Sequence, residues 1–147
     1  MKIKNIQTLS EWNLKGQKPE VVFWVGCAGS FDSRAIKITK AFATILQSAS
    51  ISFGILGEEE QCTGDPARRS GNEFLFQLLA NQNIQNLNKY QVQKIVTTCP
   101  HCFNTLKNEY PELGGNYEVV HHTEFINELL NSGRIKIEGT NNFKGKK

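Results

Sequence analysis

The chain has 147 residues, enough for one domain, and its 39% hydrophobic and 21% charged residues allow an ordinary core and an ordinary charged surface. The formal net charge of +3 is small and sits partly in the Lys144-Gly-Lys-Lys147 tail, so it does not argue for nucleic acid. No apolar run approaches the roughly 20 residues needed to span a bilayer, and Met1-Lys-Ile-Lys-Asn-Ile6 lacks the apolar stretch and cleavage site of a secretory signal.

A cytoplasmic protein with reduced thiols is therefore expected. Its four cysteines point to metal or thiol chemistry rather than to a disulfide scaffold. Residues 1–19 are mixed and polar, with Trp12 and Leu14 the main apolar groups of their second half, and read as an arm or short helix before the core. Glu20-Val-Val-Phe-Trp-Val-Gly-Cys27 is an apolar, β-rich run stopped by glycine, which predicts a buried strand with Phe23 and Trp24 in the core. Asp32 can cap a helix whose apolar face carries Ala35, Ile38, Phe42, Ile45, Leu46 and Ala49. Ile51-Ser-Phe-Gly-Ile-Leu56 predicts a second strand.

Cys62-Thr-Gly-Asp-Pro-Ala-Arg-Arg69 reads as a loop entering a helix, with Asp65 as N-cap and Pro66 at the first helical position, where a missing N–H costs nothing. Phe74, Leu75, Leu78, Leu79 and Leu87 are expected to form the apolar face that follows. Lys94-Ile-Val-Thr-Thr-Cys99 is a third strand, and Pro100 opens another helix. Tyr117-Glu-Val-Val120 is a short fourth strand, followed by a helix bearing Phe125, Leu129 and Leu130. Strand and helix alternate four times. That pattern predicts an α/β fold: a four-stranded, mainly parallel sheet with helices on both faces, three layers of the Rossmann or flavodoxin kind. The expected division is an arm at 1–19, a cysteine-rich α/β domain at 20–135, and a flexible tail at 136–147 serving as a linker to a second domain.

Ligands of such sheets gather outside the carboxyl ends of the strands. Cys27 ends the first strand, Cys62 follows the second, Cys99 ends the third, and Cys102 lies one helical turn further on. One cysteine alone is often a small buried hydrophobe, but four at one sheet edge are better explained as ligands. Cys99 is predicted to be a helix N-cap with Cys102 at N3, where free N–H groups and the helix dipole favour thiolates. Four thiolates suit an iron–sulfur cubane or a tetrahedral zinc ion, and spacing alone leaves both open. His101, beside Cys99, could tune the thiolates or move a proton. His121 and His122 follow the fourth strand at the same edge and could supply a spare ligand, although each residue is more commonly a solvated or hydrogen-bonded histidine. Arg68 and Arg69 could offset the charge of a thiolate centre or be helix surface.

Cys27, then Cys62-Thr-Gly64 after 34 residues, then Cys99-Pro-His-Cys102 with 36 residues between Cys62 and Cys99, resembles the cysteine-rich CCG domain. That domain occurs in heterodisulfide reductase and in iron–sulfur subunits of glycolate and lactate oxidation systems. Phe23-Trp-Val-Gly-Cys-Ala-Gly-Ser30, Cys62-Thr-Gly-Asp-Pro-Ala-Arg-Arg69 and Thr97-Thr-Cys-Pro-His-Cys-Phe-Asn-Thr-Leu106 look like a first-copy domain, and Val120-His-His-Thr-Glu124 like the segment that follows. The resemblance implies an electron-transfer domain of an oxidoreductase complex. Its iron–sulfur cluster, of 4Fe–4S type, would be held by Cys27, Cys62, Cys99 and Cys102. Thr63, Arg68, Arg69, His101, His121 and His122 would lie around it. Implied partners are a second cysteine-rich domain or subunit and ferredoxin-like, flavin or quinone-linked redox subunits. Attachment to a membrane would run only through those partners. The chain departs from the motif at Thr63, where the family carries an adjacent second cysteine. Five-cysteine copies hold a non-cubane, disulfide-reducing cluster, and some copies hold zinc.

Two other functions share these residues. A zinc-stabilised interaction module would use the same four ligands. A thiol–disulfide oxidoreductase would use only Cys99-Pro-His-Cys102. Against the latter, the motif follows the third strand, and two more cysteines lie at the same edge. Gly26-Cys-Ala-Gly29 is too short and irregular for a phosphate-binding fingerprint.

Overall fold

The computed structural model describes residues 6–26 and 32–136, so Cys27 and the tail beyond 136 lie outside the described residues. The elements run β1 (Gln7–Thr8), α1 (Leu9–Leu14), β2 (Val21–Trp24), α2 (Ser33–Ser48), β3 (Phe53–Ile55), α3 (Asp65–Arg69), α4 (Glu73–Lys89), β4 (Lys94–Thr97), α5 (Pro100–Asn104), β5 (Glu118–His121) and α6 (His122–Asn131). After α5 the chain continues through a π-helical turn, Thr105–Glu109, and a 3-10 turn, Tyr110–Leu113.

The strands form one sheet in the order β1-β3-β2-β4-β5, every pair parallel. The three-layer α/β fold is as expected, but among the described residues the sheet has five strands rather than four. The added strand lies in the segment expected to be an arm: Gln7 and Thr8 pair with Gly54 and Ile55 of β3, and Leu9, which opens α1, is buried.

Side chains of the strands alternate between two cores. Val22, Trp24, Ile95 and Val119 pack with Leu9, Phe76, Ala80, Ile84, Leu87, Leu106 and Tyr110 on the face covered by α1, α4 and the 100–113 helical run. Val21, Phe23, Val96 and Val120 pack with Phe42, Ala43, Leu46, Phe125 and Leu129 on the face covered by α2 and α6. All four residues of β2 are buried, as a central parallel strand covered on both faces requires. No helix among the described residues is long and apolar enough to cross a membrane.

Two expected helix faces are corrected. On α2, Thr39, Phe42, Ala43 and Leu46 are buried, whereas Ile38 is 45% exposed. On α4, Phe74, Leu75 and Leu78 are exposed, and the buried face is Phe76, Ala80, Asn83, Ile84 and Leu87. The spacing of four, three, one and three is fully helical. It was hidden because its centre is an asparagine and because leucines crowd the other side. The helix that follows Cys62 is also capped differently. Gly64, not Asp65, is the N-cap, at φ +92°, and a Cβ there would come within 2.9 Å of Phe76.

Candidate metal centre

The connection from β2 to β3 leaves β2 in one direction, and the next, from β3 to β4, crosses back to β2's other side. The carboxyl ends of β2 and β4 therefore flank the point where the strand order reverses, the usual ligand crevice of such sheets. A cavity of about 320 Å³ opens there, lined by Trp24, Gly26, Gln61, Cys62, Thr63, Asp65, Pro66, Cys99, His101 and Cys102. Three of the four cysteines singled out in the sequence thus share one cavity. Cys27 lies outside the described residues but follows Gly26, which lines it. Gly26 has φ +79°, and a Cβ there would stand 3.5 Å from Cys102 Sγ, so the backbone passes close to this sulfur.

Cys99 is the N-cap of α5, and its sulfur accepts from the Cys102 N–H at 3.5 Å. Its own N–H donates to Thr97 Oγ1. The Cys102 thiol donating to it, helped by the N–H groups of Cys102 and His101, holds the Cys99 thiol down at about 5, against the opposing effect of burial. The same pairing, with burial added, pushes the Cys102 thiol far up. One turn of helix therefore presents a ready thiolate and its proton-bearing neighbour. Cys62 Sγ accepts from the Gly64 N–H at 3.5 Å. Among the described residues no three His, Cys, Asp or Glu side chains converge closely enough to hold a single metal ion; the sulfurs ring the cavity instead.

The loop carrying Cys62 is fixed by groups that the sequence reading did not single out. Asn83, wholly buried, accepts from the Gln61 N–H (3.1 Å) and donates to the carbonyls of Gln61 (3.2 Å) and Cys62 (2.9 Å). Tyr110, also wholly buried, donates to the Thr63 carbonyl (2.9 Å) and accepts from Asn83 (3.1 Å). Glu60 accepts the N–H groups of Val25 and Gly26, each at 2.9 Å. Burial pushes its carboxyl up to about 7 in spite of those two donors. Asn83 had a detectable signal, its helical spacing from Phe76, Ala80 and Leu87. Glu60, inside Glu58-Glu59-Glu60, had none.

The other expected site residues divide. Thr63 lines the cavity and is buried, its hydroxyl accepting from the Asp65 N–H. His101 lines it from the surface, with Nδ1 3.7 Å from Asp65. Asp65 is buried and accepts from Arg69 (2.9 Å) and from the Thr105 hydroxyl (3.3 Å). Arg68 and Arg69 do not line the cavity. Arg69 binds Asp65 and Glu109, and Arg68 lies over the Phe76 ring among Glu73, Glu109 and Glu112. His121 and His122 do not line it either. Their rings lie 4.4 Å apart, His121 bonding Thr123 and His122 edge-on to Phe42. Burial, and then the neighbouring His121, lower the His122 pKa.

Comparison with known proteins gives the family. The chain is 49% identical over 121 residues to the EtfAB:quinone oxidoreductase of Syntrophomonas wolfei, covering 82% of the chain and 17% of that protein. It is 49% identical over 131 residues to the probable iron-sulfur-binding oxidoreductase FadF of Bacillus subtilis, covering 89% and 19%. It is 33% identical over 129 residues to one subunit of the dihydromethanophenazine:CoB–CoM heterodisulfide reductase of Methanosarcina barkeri, covering 82% and 31%. The chain spans less than a third of the length of each of these relatives. No solved structure matches it. The sequence model of the cysteine-rich domain matches residues 21–107, from the start of β2 to the turn after Cys102. With every cavity-lining cysteine inside that span, the chain belongs to the cysteine-rich (CCG) domain family.

Proposed function

We propose that this chain is an iron–sulfur-binding redox domain whose cluster, of 4Fe–4S type, is ligated by Cys27, Cys62, Cys99 and Cys102. The observation that carries the reading is the shared cavity: Cys62, Cys99 and Cys102 come from two separate loops and meet at the crevice where the strand order reverses. The donor set fits. Iron–sulfur clusters are held by cysteine sulfurs, and three of them line this one cavity. Four thiolates would also suit zinc, and the iron–sulfur-binding name of the Bacillus subtilis relative supports the cluster. When bound, the cluster would supply one-electron transfer.

The chain's own residues would set its surroundings. The N–H groups of Gly64 and Cys102 donate to the sulfurs of Cys62 and Cys99, and such bonds tune cluster potentials. Trp24 and Pro66 wall the cavity, and His101 stands at its mouth. Relatives named as an EtfAB:quinone oxidoreductase and a heterodisulfide reductase component support working partners of the same kinds for this chain: a second cysteine-rich domain or subunit, and ferredoxin-like, flavin or quinone-linked redox subunits. Any membrane association would be peripheral, through them.

Anaerobic purification with absorbance, iron, sulfide and zinc analysis tests the proposal. About four irons and four sulfides per chain, with a broad visible charge-transfer band, is expected, and Cys62→Ser or Cys102→Ser should lower the iron content. A colourless chain with about one zinc would replace the redox reading with a structural one.

A further inference from the structure

The segment Glu60–Thr63 is bonded at every residue, and to two different parts of the fold. Its first residue reaches toward β2: the two carboxylate oxygens of Glu60 each take one N–H, from Val25 and from Gly26, at 2.9 Å. These are the two residues that precede Cys27 in the sequence. They lie past Trp24, the end of β2, so their N–H groups have left the strand and need acceptors from elsewhere. A carboxylate presents two acceptor oxygens side by side and suits two successive amides.

The rest of the segment is held from behind. Asn83 satisfies both the N–H and the carbonyl of Gln61, as a neighbouring strand would, and also binds the Cys62 carbonyl. Tyr110 takes the Thr63 carbonyl and is itself bonded to Asn83. Both side chains are wholly buried. Polar groups are costly to bury, and a surface loop could have left the same carbonyls to water. Here two buried side chains are committed to three consecutive residues, Gln61, Cys62 and Thr63, and the carboxylate just before them to the end of β2.

We infer that Glu60, Asn83 and Tyr110 form a clasp that fixes the end of β2, which leads to Cys27, against the loop carrying Cys62, and that they are positioning residues for the metal centre. The inference rests on the cluster reading for its consequence but not for its geometry. With the clasp closed, the cavity is organised before any metal enters, and an occupied centre is slow to open. With it cut, the two loops separate more readily and iron leaves faster.

The full chain, loaded anaerobically with iron and sulfide, is compared with Glu60→Ala, Glu60→Gln, Tyr110→Phe and the control Glu58→Gln, an exposed neighbouring charge. Iron release to a chelator is timed, and the electron paramagnetic resonance signal of the reduced cluster is recorded. Amide exchange at Val25 and Gly26 is followed in the metal-free chain. Losing both bonds should speed both exchange and iron release by about tenfold or more in Glu60→Ala. Glu60→Gln, which keeps one acceptor oxygen, should fall between. Tyr110→Phe should speed iron release and alter the resonance signal while leaving exchange at Val25 and Gly26 unchanged. Glu58→Gln should match the wild type in every measurement. Wild-type release rates in folded Glu60→Ala and Tyr110→Phe would overturn the clasp, as would an equal effect of Glu58→Gln. If Glu60→Ala does not fold, Glu60→Gln decides by the same criterion. A wild-type chain that takes up no iron would overturn the cluster reading alone. Exchange in the metal-free variants would still decide the clasp, which falls if Val25 and Gly26 stay fully protected.

Discussion

At the carboxyl edge of the sheet, Asn83, Tyr110, Thr63, Thr97 and Thr105 are buried, and their bonds run to backbone groups, to Asp65, or between Asn83 and Tyr110. At the amino edge the bonds lie near water: Arg134 with Glu20 and the Ser50 carbonyl, and Lys94 with Glu118 and Glu128. The first arrangement fixes the path of the chain, because a buried peptide group without its partner is expensive. The second holds little, because exposed ion pairs gain little over hydration. The molecule is thus stiffened where its sulfurs lie and merely solvated at the other end.

Cutting the buried network should therefore have the largest effect. Asn83→Leu leaves the Gln61 N–H and the Gln61 and Cys62 carbonyls unpaired, and should cost about 3 kcal/mol or more of unfolding free energy in urea titration. The thiol at the helix start gives a second contrast. In the metal-free chain, alkylation of Cys99 should rise through about pH 5 and level off above it, because the thiolate is the reactive form. Cys102 should stay unlabelled across the neutral range, since its thiol is pushed up. Mass spectrometry of chains labelled at about pH 6 should show Cys99 modified at least about tenfold more than Cys102. Tyr110→Phe, which removes one hydroxyl from the same network, should cost about 1–2 kcal/mol. Arg134→Ala, at the amino edge, should change stability by less than about 0.5 kcal/mol. A large loss there would erase the distinction between the two edges.

What the sequence made legible follows the same division. Val21-Val-Phe-Trp24 and Lys94-Ile-Val-Thr97 are β-rich runs whose burial on both faces needs no polar partner, so composition was enough to place them. Pro100 and the Cys99 N-cap were readable because helix starts depend on the nearest few residues. The buried polar groups were not readable. Asn83, Glu60 and Tyr110 take their meaning from partners 21 to 47 residues away in sequence, and local pattern carries no trace of such bonds. The buried face of α4 is hidden for the same reason, since its centre is Asn83. Phe74, Leu75 and Leu78 are apolar by type yet lie on the outer side of that helix. For Arg68 and Arg69 the sequence leaves two readings open, charge balance beside the cavity or helix surface, and Asp65, Glu109 and the Phe76 ring hold them away from the cavity.

The order of the strands also fixes when the sulfurs can meet. β2 sits between β3 and β4, so the crevice has only one wall until β4 is in place. Cys27 and Cys62 leave the ribosome before that wall exists, and Cys102 follows Cys62 by 40 residues, roughly 2–8 s of synthesis at the usual rate. During that interval two thiols of the nascent chain stand without the helix start that would complete their site. If the four cysteines are the ligands proposed above, metal delivered then would meet two of them, and loading would follow synthesis, once β4 and the turn from Cys99 to Cys102 have closed the crevice.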